Sequence, residues 1–207
     1  MGFFEDVEPP PPPPEPVQYR SPPWSGPPDN VLPATVALDV LVVRTPAWAV
    51  WIGHGSVTPE GMEFTVTILG RRSEPAPGAM GPLFDGTGAD VPRLGVGFDD
   101  GRRAVSDGRP SATHPTGDRA TEIMLWPRGG SGSQRHSSRD FWLWPLPPPG
   151  SLTFAMSWPE QGLDEVVVEV DAAPIREAAG RAVELWPDDR PLPPPPGEGG
   201  PGWAAYT

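Results

Sequence analysis

The stretch from Phe141 to Pro159 limits what this chain can fold into more than any other. Phe141-Trp142-Leu143-Trp144 is apolar without a break, which suits a strand buried on both faces. Ser151 to Trp158 alternates instead, with Leu152, Phe154, Met156 and Trp158 on one face and Thr153, Ala155 and Ser157 on the other. That period of two belongs to a half-buried strand. Between the two runs stands Pro145-Leu146-Pro147-Pro148-Pro149-Gly150. Proline fixes φ and offers no N–H to a ladder, so both strands must stop at this corner. Three of the nine Trp fall in the same stretch, and Trp brings more buried area than any other side chain. Together these features predict the centre of a β-sandwich core.

The same period recurs upstream. Val36, Leu38, Val40 and Val42 oppose Ala37, Asp39, Leu41 and Val43, and Thr45-Pro46 ends that strand. Trp48 to Val57 reads as the next strand. Met62, Phe64, Val66 and Ile68 against Glu63, Thr65, Thr67 and Leu69 is the clearest amphipathic strand of the chain. Leu94 to Phe98 runs into Asp100-Gly101, which predicts a two-residue type I′ hairpin returning through Arg102 to Val105. Ile123–Trp126 and Asp164–Val170 complete the set of strands. Arg71–Arg93 and Ser106–Arg119 read as long loops, and Pro127–Arg139 as a Gly/Ser-rich hairpin tip. Helical spacing appears only once, over about 172–186. Asp171 precedes it, Pro174 lies in its first turn, and Pro187 stops it. Its apolar stripe is Ile175, Ala178, Ala179, Ala182, Leu185 and Trp186. The expected fold is therefore mainly β: an antiparallel sandwich, immunoglobulin-like or jelly-roll, spanning 34–187 with one C-terminal helix.

Two tails flank that domain. Residues 1–33 hold twelve of the thirty-four prolines, six of them consecutive at Pro9–Pro14, and residues 188–207 repeat the bias. Such segments lack the apolar periodicity that offsets ordering entropy, so both are expected to be disordered, the Pro run as a stiff polyproline II spacer. The combination of Trp142-Leu143-Trp144-Pro145-Leu146-Pro147-Pro148-Pro149-Gly150, Trp158-Pro159 and Leu185-Trp186-Pro187 resembles a family of uncharacterised proteins from high-GC bacteria. The resemblance extends over most of the domain and the Ser21–Asn30 segment. It implies one shared fold and carries no activity.

Composition removes whole classes of function. Cysteine is absent, which excludes disulfides and thiolate metal sites. Every basic side chain apart from histidine is Arg, so the Gly129–Ser133 stretch has no Lys with which to complete a phosphate-binding loop. A net charge of −12 repels phosphate backbones, so nucleic acid is not an expected partner. The N-terminus has no positive n-region, and Asp6 stands where a myristoylation motif needs Ser or Thr. No run approaches the roughly 18 apolar residues of a membrane span. These readings predict a cytoplasmic location without membrane association.

No catalytic constellation stands out. His54, in Gly53-His54-Gly55-Ser56, lacks the Gly-x-Ser-x-Gly order of a nucleophile elbow and reads as a strand histidine between glycines that tolerate a bulge. His114 and His136 lack metal-ligand spacing. Asp85-Gly86-Thr87-Gly88-Ala89-Asp90 is a single copy of a calcium repeat that binds only in tandem. No cofactor is expected. The Trp residues of the strands read as core, and the reading in which they stack sugar rings requires them to be clustered and exposed. The expected function is a non-enzymatic protein-interaction or structural module. A carbohydrate-binding sandwich is the alternative, and a hydrolase with a Ser/His/Asp set hidden by sequence order is the second. The expected protein-binding residues are Phe3, Phe4, Glu5 and Asp6 of the Pro-rich tail, together with Trp24, which either anchors a partner or folds back onto the domain.

Overall fold

A computed structural model describes residues 23–71, 91–106, 122–133 and 135–188. Phe3, Phe4, Glu5, Asp6, His114 and the Asp85–Asp90 stretch lie outside them. The chain is a mainly β, antiparallel sandwich with one helix among these residues. Its larger sheet has the order β2-β3-β4-β8-β7, built from Ala34–Arg44, Trp48–Val57, Met62–Gly70, His136–Trp144 and Met124–Gly132 respectively. The smaller has the order β10-β9-β5-β6, from Leu163–Asp171, Ser151–Trp158, Arg93–Phe98 and Arg103–Ser106. A two-stranded ribbon joins β1 (Val31–Leu32) to β11 (Val183–Glu184).

The alternation read from the sequence is what closes the core. Phe64, Val66 and Ile68 of β4 and Leu152, Phe154 and Met156 of β9 turn inward from opposite sheets, and all are buried. Phe64 meets Phe154 edge to face across the sandwich at 5.2 Å between centroids and stacks on Phe141 of its own sheet at 5.8 Å. Trp48 and Trp158 meet at 5.3 Å. Burying each side chain of this size contributes about 1.5–3 kcal/mol relative to exposure. The proline corner separates β8 and β9 as the sequence requires, and it carries the chain from one sheet to the other. The Leu146 N–H donates to the Glu60 carbonyl at 3.0 Å, which ties the corner to the β3–β4 turn.

Four local expectations are corrected. The helix α1 covers only Ala173–Ala179, not 172–186. Gly180 costs about 1 kcal/mol more than Ala in a helix, and the residues beyond it gain backbone pairing instead: Val183 and Glu184 pair with Leu32 and Val31. Ile175, Ala178 and Ala179 are buried, whereas Leu185 and Trp186 are exposed, Trp186 by 59%. The ordered fold also begins before residue 34, since Pro23–Leu32 precedes and joins it.

The Gly/Ser segment is strand, not tip. Gly130, Ser131 and Gly132 pair with Arg139, Ser138 and Ser137, and a bulge between Pro127 and Gly130 absorbs the proline. Ladder bonds use only main-chain groups, so glycine does not prevent them. Finally, the β5–β6 turn is not type I′, which needs positive φ at both central residues. Gly101 has φ +87°, but Asp100 is not left-handed. The Gly101 N–H donates to the Phe98 carbonyl and the Phe98 N–H to that of Arg102, as in a three-residue hairpin. The Asp100 carboxylate accepts from the Arg102 N–H and Nε, which favours this form and holds its carboxyl below the usual range.

Candidate interaction surface

Strand alternation turns Glu63, Thr65 and Thr67 of β4 away from the core. The register places Trp142, Asp140 and Ser138 of β8 directly beside them, and Trp126 of β7 stands opposite Trp142. Trp142 is thus on the outer face of the sheet, yet it is 0% exposed. The unbroken apolar run Phe141–Leu143 demanded a cover on both faces, and the second cover is the Pro23–Gly26 turn. The indole Nε1 of Trp142 donates to the Pro23 carbonyl at 3.0 Å. Nη1 of Arg128 donates to the Ser25 carbonyl at 3.4 Å, and its Nε lies 3.8 Å from the Glu63 carboxylate. Below the indole lies Gly61, where an added Cβ would come within 2.8 Å of the ring and overlap the Leu143 carbonyl oxygen. Trp24 is half-buried in this turn. Of the expected binding residues, it is the one the described structure contains.

Next to this seat is a pair of carboxylates. Thr65 Oγ1 donates to Asp140 Oδ1 at 2.6 Å. The Glu63 carboxyl is pushed above its ordinary range by burial and then by the charge of Asp140, and Arg128 opposes the shift. Acid–base work needs two carboxylates held in different states, and nucleophilic work needs hydroxyl, base and orienting group in sequence. Here the threonine proton points straight at a carboxylate with no imidazole between them. His54 occupies the β3 bulge, paired with Ala37, and is exposed. His136 opens β8 opposite Leu69. Among the described residues no three His, Asp or Glu side chains converge to hold a metal ion. What the arrangement offers is donors aimed at main-chain oxygen.

The tryptophans divide by face. Trp48 and Trp158 are core, Trp142 is buried under the turn, and Trp51, Trp126 and Trp144 are half-buried on or beside the outer face. Trp186 is exposed at the far end of the ribbon. Sequence reasoning missed the pairing of Trp142 with the Pro-rich segment. The two signals that could have found it were the doubly apolar strand and the isolated Trp24 among prolines. No helix of the described residues is long and apolar enough to cross a membrane. No family model matches the chain, and it has no match among curated proteins or solved structures.

Proposed function

We propose that the protein is a non-enzymatic interaction module that reaches a protein partner through its Pro-rich N-terminal arm. One observation carries the reading: the root of the arm is bonded to the sandwich, Trp142 Nε1 to the Pro23 carbonyl at 3.0 Å. The 22 residues that precede Pro23 are therefore tethered at a fixed point on a rigid sheet. They contain Phe3-Phe4-Glu5-Asp6-Val7-Glu8 followed by the Pro9–Pro14 run. A polyproline spacer has little freedom left to lose, so docking its tip costs little further entropy. Acids flanking phenylalanine favour a basic-rimmed groove and a salt-sensitive association. The same reading places the protein in the cytoplasm, with neither nucleic acid nor membrane as partner, in keeping with its net charge of −12. Deleting residues 1–16 is expected to abolish co-purification of a cellular partner and leave the urea midpoint unchanged. Recovery of the same proteins with and without those residues would refute the reading.

A further inference from the structure

The Trp142 seat has a chemistry that selects its occupant. The indole N–H of Trp142 and the guanidinium of Arg128, which both bond the arm, are donors with no acceptor capacity. Both bond main-chain carbonyls, those of Pro23 and Ser25. Proline presents a carbonyl and no N–H, so a Pro-rich segment is rich in acceptors and poor in donors. Side chains of the arm are not read by these two bonds; the backbone path through Pro23 and Pro27-Pro28 is. Where the chain must run closest, at Gly26, an added Cβ would lie 2.9 Å from Arg128 Nη1. The seat is pre-formed from the sheet side, because Arg128 is also drawn toward Glu63 and Trp142 is fixed across Gly61.

We infer that this seat exchanges its own Pro23–Pro28 segment for the same segment of a second copy of the chain, giving a dimer by reciprocal arm exchange. The second copy is the occupant the structure supports, since its arm would make the same two bonds and the same Trp142 cover. The arm joins the domain through Pro27-Pro28-Asp29-Asn30, a short stiff hinge, and such hinges favour exchange of identical elements between protomers. Because the bonds made in cis and in trans are the same, association competes only against the local concentration of the tethered arm. For a short tether that is of millimolar order, so the dimer grows as the chain concentration approaches that level. This exchange stands apart from the partner reading of the distal arm: removal of residues 1–16 leaves the Pro23–Pro28 segment in place.

Sedimentation of the full chain from about 10 µM to about 1 mM, after equilibration through mild urea, tests it over the range set by the tether. A dimer that rises with concentration is expected. Trp142→Phe keeps the ring but removes the same donor from the cis and the trans seat, so it should leave the concentration dependence of that dimer unchanged. The synthetic peptide Ser21–Asn30, in excess, should return the wild-type dimer to monomer. A monomer at every concentration, a dimer that Trp142→Phe weakens, or a dimer that the peptide does not shift overturns the inference. Exchange of the Trp142 indole proton in the wild-type chain serves should that variant fail to fold. Arm opening requires it to exchange faster than the amides of β4 and β8, and equal protection would show that the arm never leaves.

Discussion

Phe64 and Phe154 join the two sheets, and their contribution can be worked from the geometry. Phe64 meets two rings, Phe141 at 5.8 Å and Phe154 at 5.2 Å. An aromatic pair at such spacing is worth about 0.5–1.5 kcal/mol beyond its buried area, and exchange for the smaller leucine costs about 1 kcal/mol or more by itself. With about 1 kcal/mol taken for the exchange, Phe64→Leu loses two ring contacts and should cost roughly 2–4 kcal/mol. Phe154→Leu loses one and should cost roughly 1.5–2.5 kcal/mol. The double variant loses the shared contact only once. Its cost should fall short of the sum by about 0.5–1.5 kcal/mol. Urea unfolding followed by tryptophan emission gives all four stabilities, and the substitutions leave every reporter in place. Equal m-values are required for the comparison. Additivity of the two costs within about 0.3 kcal/mol would refute the claim that these rings bridge the sheets.

Two further perturbations probe the outer face. Gly61→Ala forces a Cβ into the Leu143 carbonyl and the Trp142 ring and should cost about 1–3 kcal/mol; Gly53→Ala, with open space around it, should stay within about 0.5 kcal/mol, and calorimetric midpoints that fail to separate the two would contradict the close approach. The Glu63 carboxyl is raised in the fold by burial, so the folded chain binds its proton more readily than the unfolded one, and stability falls as pH rises from the ordinary carboxylate range through the raised value. Glu63→Gln should flatten that part of the profile of urea midpoint against pH, and an unchanged slope would exclude Glu63 as its source.

The inner face was legible because period two and burial are the same fact seen twice: Phe64, Val66, Ile68, Leu152, Phe154 and Met156 all point where their spacing put them. Legibility failed where a choice depended on partners distant in sequence. Ala182, Leu185 and Trp186 fit a helical stripe as well as a strand, and local spacing has no knowledge of Val31–Leu32, which pairs with Val183–Glu184. Gly129–Ser133 had every mark of a flexible tip, yet the continuing strand of His136–Asp140 beside it supplied the ladder. Asp100-Gly101 was ambiguous for a different reason: the Asp100 carboxylate had two nearby donors on Arg102, and these favour the three-residue form.

The outer face was half legible, and the half that was missed concerns function. Four apolar residues in a row at Phe141–Trp144 state that a sheet face needs covering, but not what covers it. In a sandwich the second cover must come from a loop, a helix or a terminus, and α1 is committed elsewhere, against β2 and β3. Of the remaining segments, Pro-rich ones cost the least to order, because much of their backbone freedom is already lost in the unfolded chain. They also carry carbonyls with few competing N–H groups, which is what an indole donor needs. A tryptophan facing outward from a strand and a proline segment with no periodicity of its own are thus complementary deficits. In this chain they stand 119 residues apart and meet in one hydrogen bond.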